Sequence, residues 1–372
     1  MARTGTDHAG ARLEIDLGAI QANYRALKAR AKGAVAAVVK ADAYGLDAGI
    51  VAPALAAAGA RQFFVAHLDE ALALRPLLPE AEIFVLNGLP AGAEADCAAA
   101  RVIPVLNSLG QIDAWTALAR RDGAALPAAV QVDSGMSRLG LPAAELARIT
   151  ADPARLDGVA LRLVMSHLGC ADTPDHPMNR RQLAAFEAAR RVLPEAPASL
   201  ANSSGIFLGP DFHFDLARPG AALYGIAPVA GAENPMLPSV RLMARVIQTR
   251  EIGAGDAVGY AASWTADGPR RIATVAVGYA DGYLRCLGNR ATAFAGATPL
   301  PLVGVVSMDT ATFDVTGAPE VREGGWIELL GPNQSLDALA TEAGTIGYEI
   351  LTSLGGRYAR VYADAQPERL IA

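Results

Sequence analysis

The stretch AVAAVVKADAYG, Ala34 to Gly45, places a single lysine at the end of a run of alanine and valine. A strand end at the surface could carry that lysine for solubility alone. A buried strand end could carry it for chemistry, because a desolvated amine loses its proton more readily and becomes a nucleophile. The residues on either side decide between the two.

Upstream, LGAIQANYRALKARA (Leu17 to Ala31) has Leu17, Ile20, Tyr24 and Leu27 at helical spacing. Downstream, short apolar runs alternate with helix-like stretches. FFVA (Phe63 to Ala66) reads as a strand, followed by LDEALALRPL, a short helix stopped by proline. IFVL (Ile83 to Leu86), VIPVL (Val102 to Leu106), AAVQVD (Ala128 to Asp133) and LRLVMSHL (Leu161 to Leu168) continue the series, with a clear helix in RQLAAFEAARRVL. The segments SLANSSG and DLARPGAALYG complete it. Strands are thus expected to close near Lys40, Ala66, Leu86, Leu106, Asp133, Ser166, Ala201 and Ala217. Eight short strands joined mostly by helices predict an α/β fold of the (β/α)8 TIM-barrel type. An open doubly wound sheet is the alternative, since periodicity does not show closure.

Past Pro238 the texture changes. VRLMARVIQTREI, RIATVAVGYA, PLVGVVSM, TATFDV and WIELLG are β-rich runs divided by Gly, Asp and Pro turns, the pattern of a mainly antiparallel β domain. The predicted division is a barrel over residues 11–235 and a β domain over 236–372, with the boundary in VAGAENPMLPS (Val229 to Ser239). A chain of 372 residues is long enough for two domains.

Composition narrows the functional classes. Hydrophobic residues make up 52% of the chain and charged residues 19%, which suits a well-buried globular protein. A net charge of -6 and the lack of a Lys/Arg-rich run argue against a nucleic-acid groove. Cys97, Cys170 and Cys286 are odd in number and far apart, unlike a disulfide framework or a zinc pattern. MARTGTDHAGARLEIDL has no apolar core like that of a secretory signal. No apolar run reaches the ~20 residues of a membrane span. The expectation is a cytoplasmic protein with no metal centre and neither membrane nor nucleic acid as a partner.

Barrel strands deliver side chains from their C-terminal ends to one face. Here that set is Lys40 and Tyr44 after the first strand, Arg138 after the fifth, His167, then Asn202 and Ser203, then Arg218. It combines an amine, a phenol, two guanidiniums, an imidazole and small hydrogen-bonding groups, and suits an anionic ligand. A phosphate-bearing aldehyde would also use the amine, which points to pyridoxal 5′-phosphate. Arginines at a barrel mouth hold sugar phosphates as well. Singly, each residue also has a plain structural reading: a strand-end lysine, a core histidine, an NSSG turn.

Longer motifs go further. VVKADAYG, VDSGMSRLG, MSHLGCAD, ANSSG and RPGAALYG, with AVGYADGY, VGVVSMDT and TIGYEILTSLGGR behind them, resemble in order the signatures of the alanine racemase family. The resemblance runs from about Leu13 to Tyr362. It implies a pyridoxal-phosphate enzyme that interconverts L- and D-alanine through a Schiff base and a Cα carbanion. It also implies a homodimer with shared active sites, and that residues 11–16 join the β domain.

By the same resemblance Lys40 holds the cofactor and is one of two acid/base groups, and Tyr279 from the partner subunit is the other. Arg218 faces the pyridine nitrogen and is hydrogen-bonded by His167. Arg138 lies near the cofactor oxygen and the substrate carboxylate. Tyr44, Ser203 and Tyr348 bind the phosphate with backbone amides around Gly220 and Ala221, and Asn202 stands beside them. Met308 offers a backbone N–H to the substrate, supported by Asp309.

Three positions depart from the family pattern. Gln131 stands where many members carry a carbamylated lysine that orients the arginine, so Arg138 is expected to be held by the Gln131 amide oxygen, a chloride or water. Trp264, near Tyr260 at the entrance, replaces a commoner tyrosine. SMD stands where Cys-Met-Asp or Val-Met-Asp is commoner. The rival readings are a decarboxylase on the same scaffold, to which Tyr279 is ill suited, and a non-catalytic cofactor carrier, which would not need the second domain.

Overall fold

A computed structural model of the chain describes residues 8–363. They form two compact units. One is built from Gln21–Leu223 and Ala227–Met236, and the other from the remaining described residues. No helix of the described residues is long and apolar enough to cross a membrane.

In the first unit the strands are β2 Ala34–Val35, β3 Ala37–Val38, β4 Gln62–Val65, β5 Glu82–Val85, β6 Ile103–Leu106, β7 Leu126–Gln131, β8 Val159–Met165, β9 Ala198–Ser199 and β10 Leu216–Ala217; β1, Ala11–Asp16, belongs to the other unit. From β3 to β9 each strand pairs in parallel with the next. Strand β10 pairs in parallel with β2, through Leu216↔Ala34. The remaining seam is joined by Asp215 N–H to Ala198 O at 3.0 Å, Arg218 N–H to Ala201 O at 2.9 Å, and an Asn202↔Arg218 bridge. The hydrogen bonds therefore run all the way round, and the open-sheet alternative is excluded. Val65, Val85, Val105, Val130 and Met165 are buried along the strands, so the barrel interior is a packed core.

Two details go beyond the sequence expectation. The first strand is split at Ala36, where its partner changes from β10 to β4, and it ends at Val38, so Lys40 follows the strand. Between β9 and β10 the chain makes two 3-10 turns, Ser204–Leu208 and Pro210–Phe212, where other connections use α-helices such as Leu109–Asp122 and Pro177–Arg190.

The second unit contains β11 Val240–Ile252, β12 Ala257–Val258, β13 Trp264–Thr265, β14 Arg270–Val275, β15 Thr292–Ala295, β16 Thr298–Pro301, β17 Ala311–Asp314, β18 Trp326–Leu330 and β19 Ala359–Ala363. Its sheet runs β16-β15-β18-β11-β1-β19, and β14 pairs with both β11 and β17. All of these pairings are antiparallel except β1 with β19. Strand β1 fits its place because Ala11, Leu13 and Ile15 alternate inward, the two-residue period of a strand with one buried face. Strand β11 is long enough to pair with β1 and β18 along its first half and with β14 along its second, with register shifts between Leu242 and Met243 and between Val246 and Gln248.

Candidate active site

Lys40 opens a turn, Lys40–Gly45, in which Ala41, Asp42, Ala43 and Tyr44 have φ of 52°, 55°, 53° and 58°. These are left-handed conformations that non-glycine residues rarely adopt. Burial lowers the Lys40 pKa most, and the nearby Arg138 guanidinium lowers it further, while the Glu70 carboxylate opposes both. The result is an amine that gives up its proton more readily than a lysine in water.

Arg138 is presented by the turn after β7. Asp133 Oδ1 accepts the N–H groups of Gly135, Met136 and Ser137 at 2.8, 3.0 and 3.1 Å, and this aspartate-centred turn carries the chain to the exposed arginine. Gln131, at the end of β7, is buried, yet its side chain makes no hydrogen bond to Arg138. That removes the expected support from the Gln131 amide oxygen.

Arg218 is only 4% exposed. It donates to Ser199 Oγ and, at 2.6 Å, to Ser166 O, and its guanidinium lies 5.9 Å from the Phe64 ring centroid. Burial pushes its pKa down to about 9, which leaves it charged at neutral pH. His167 is held neutral. Burial, then Arg218, Arg138 and Lys40 in that order, lower its pKa to about 3. Its Nε2 lies 3.5 Å from Asn202 Nδ2, at the limit for a hydrogen bond, and a neutral imidazole nitrogen can accept there. Since Arg218 spends its bonds on Ser199 and Ser166, the expected His167–Arg218 hydrogen bond is absent, and Asn202 takes its place. Asn202 also donates to Leu168 O at 3.3 Å and accepts Gly205 N–H at 2.9 Å.

A second cluster lies beside it. Ser203 Oγ accepts Gly220 N–H at 3.0 Å and Ala222 N–H at 3.2 Å, and the buried Ala221 sits between them. A Cβ on Gly220 would come within 2.2 Å of the Tyr44 hydroxyl, so only glycine leaves room for that phenol. No group of three or more His, Cys, Asp or Glu among the described residues could hold a metal ion.

In the other unit, two segments are knitted together. Tyr279 N–H donates to Ser307 O at 3.0 Å and Ala280 N–H to Met308 O at 2.9 Å. Gly278 permits this approach, since a Cβ there would lie 2.3 Å from both the Ser307 and Met308 carbonyl oxygens. Tyr279 is 40% exposed, Met308 54% and Tyr260 70%. Tyr348, on the helix Gly347–Ser353, is also exposed. Trp264 lies opposite Val258 in the β12–β13 hairpin and packs on the Val258, Ile272 and Val303 cluster, so much of its ring serves the core.

A family profile described as "Alanine racemase, N-terminal domain" matches residues 15–228, and one described as "Alanine racemase, C-terminal domain" matches residues 239–362. The chain belongs to the alanine racemase family. Among curated alanine racemases it is 54% identical over 358 residues to one from Mesorhizobium japonicum named catabolic, covering 95% of this chain and 93% of that one. It is 52% identical over 371 residues to one from Brucella abortus, covering 95% and 94%. Among solved structures, an alanine racemase from Bartonella henselae with covalently bound pyridoxal phosphate superposes with a TM-score of 0.93 at 44% identity, over 95% of this chain and 100% of that one. A biosynthetic alanine racemase from Pseudomonas aeruginosa gives 0.89 at 37%, over 95% and 99%.

The structure adds a residue that motif reading passed over. Arg357, the last residue of TIGYEILTSLGGR, donates to both oxygens of buried Asp281 at 2.5 and 2.8 Å and to Asp309 at 2.7 Å. Asp281 Oδ2 also accepts Gly278 N–H at 2.9 Å. One guanidinium thus ties the segment carrying Tyr279 to the segment carrying Met308. The signal was present, an arginine ending one motif and aspartates inside two others, but their meeting is not a matter of spacing.

Proposed function

We propose that this protein interconverts L-alanine and D-alanine using pyridoxal 5′-phosphate carried on Lys40, as a homodimer in which Tyr279 of the partner subunit completes each site. The observation that carries this reading is the convergence of Lys40, Arg138 and Arg218 on a neutral His167 past the C-terminal ends of the barrel strands. That excess of positive charge fits an anionic cofactor and the carboxylate of an amino acid. Tyr44, Ser203 and the amides near Gly220 and Ala221 would hold its phosphate. Pyridoxal phosphate, when bound, supplies a conjugated electron sink that makes the substrate Cα–H acidic.

The chain's own residues do the rest. Racemisation needs a proton removed from one side of Cα and returned on the other, hence two acid/base groups on opposite faces. Lys40, its proton affinity reduced by burial and Arg138, serves one face. Tyr279 serves the other, held by its backbone bond to Ser307 and by the Arg357–Asp281 pair. Arg218 would set a cation beside the cofactor nitrogen, with His167 and Asn202 next to it. That would discourage a proton on the nitrogen and keep the sink weak. Arg138 and the Met308 N–H orient the substrate carboxylate, and a chloride near Gln131 would steady Arg138. Exposed Tyr260, with Trp264, would border the entrance.

The test is direct. Purified protein supplied with the cofactor should bring the optical rotation of either alanine enantiomer to zero. Borohydride reduction followed by peptide mapping should place the fixed cofactor on Lys40. A label on another lysine would overturn the assignment.

A further inference from the structure

The left-handed turn after Lys40 is costly, at roughly 1–2 kcal/mol for each non-glycine residue, so its supports matter. Some lie close in sequence: Asp42 Oδ1 accepts Ala48 N–H at 2.7 Å, Asp42 O accepts Asp47 N–H at 3.1 Å, and Val39 O accepts Ala43 N–H at 2.9 Å. A further one comes from another strand's exit. Glu70 is the third residue of the helix Leu68–Leu74. Its Oε2 accepts Ala66 N–H at 2.7 Å and His67 N–H at 3.0 Å, which is ordinary capping of that helix. Its Oε1 does what capping does not require. It accepts Ala41 N–H at 2.6 Å, from 29 residues away in the chain.

We propose that Glu70 is a positioning residue for Lys40, anchoring the strained turn to the exit of β4 through Oε1 and facing the amine with its negative charge. The inference rests on the reading of Lys40 as the lysine of the reaction. Three side chains define the charge around that amine. Arg138, from the turn after β7, disfavours the ammonium, and Glu70 favours it. His167, after β8, is already neutral and adds no charge. Glu70 therefore does two things with one carboxylate: it restrains the main chain at Ala41, and it offsets part of the push that burial and Arg138 exert on the amine.

Glu70→Gln separates these from capping. A glutamine still caps a helix, but it has one acceptor oxygen where two are in use, and no charge. In the holoenzyme, amide hydrogen exchange of residues 41–46 should speed up about tenfold or more, the loss expected for one charge-assisted hydrogen bond. The acidic limb of kcat, which reports the unprotonated base, should also move to lower pH for the enantiomer from which Lys40 takes the proton, because the ammonium has lost its neighbouring carboxylate. Glu70→Asp keeps the charge on a shorter arm. It should restore the pH limb toward wild type while exchange at 41–46 stays raised. An unmoved limb in Glu70→Gln, with faster exchange confined to 66–74, would overturn the proposal and leave Glu70 a helix cap. If borohydride labelled a lysine other than Lys40, the functional reading would fail, and exchange at 41–46 would still decide whether Glu70 anchors the turn.

Discussion

The two units hold their reactive groups by different physics. Around Lys40, His167 and Arg218 the means are burial and charge. Desolvation shifts all three groups toward their neutral forms, neighbouring cations add to it at Lys40 and His167, and the backbone after Lys40 is bent into a left-handed turn. Around Tyr279 and Met308 the side chains are exposed, and order comes from the main chain, with paired carbonyl and amide groups locked by Arg357 across Asp281 and Asp309. A group that must change its proton affinity gains from being buried in its own unit. If Tyr279 is lent to a second subunit, as proposed, it has to stay at a surface, where only its backbone can be fixed in advance.

Separating the two halves should produce the largest effect. Lys40→Ala and Tyr279→Phe should each nearly abolish racemisation, and Lys40→Ala should also lose the protein's visible cofactor absorption. In verified mixed dimers one site carries both lesions and the other neither, so activity should reappear as subunits exchange. Persistent inactivity would confine each site to one chain and remove the second subunit from the comparison.

Arg357→Ala should come next. It frees both loops at once, and a displacement of about 1 Å at a reacting group can cost ~100-fold. The expected result is a loss of about 10- to 100-fold in kcat/KM, with cofactor absorption and the borohydride label on Lys40 intact. Arg357→Lys should recover only part, since an ammonium cannot bind both Asp281 oxygens and Asp309 in the same planar array. Loss of cofactor binding in Arg357→Ala would show that the clamp serves the cofactor rather than Tyr279.

A smaller effect concerns pH and the barrel end alone. His167 titrates near 6.5 when unfolded and near 3 in the folded chain, so the unfolded state binds more protons between those values. Its contribution to stability is complete above about 6.5 and declines as pH falls toward 3. Thermal unfolding across that window should show a shallower pH slope in His167→Asn, and an unchanged slope would place the sensitivity elsewhere. The smallest effect is expected at Gln131. Because the Gln131 amide does not reach Arg138, substrate affinity should rise modestly with chloride at fixed ionic strength, measured against a bulky inert anion. A flat response would leave water as the support for Arg138.

Much of this was legible in one dimension. Each barrel strand announces itself as a short apolar run, and each residue of the Lys40, Arg138, His167, Asn202 and Arg218 set lies just past such a run, so periodicity places it near the correct end of the barrel. Fine placement was less legible. The strand closes at Val38, near Lys40 as expected, but nothing local announced the four left-handed residues after Lys40, one of which is tied to the distant Glu70 carboxylate. For Trp264 nothing in the sequence showed that its hairpin also packs part of its ring onto the Val258, Ile272 and Val303 cluster.

The sequence by itself determined the order of elements, the antiparallel character of the second unit, and which chemical groups stand at strand ends, because these follow from local periodicity and turn chemistry. Only the tertiary structure decided that β10 closes onto β2, that Asn202 rather than Arg218 meets His167, that Glu70 reaches Ala41, and that Arg357 gathers Asp281 from 76 residues away. The physical reason is that a hydrogen bond between distant segments depends on register and strand twist summed over everything in between, and no local pattern carries that sum.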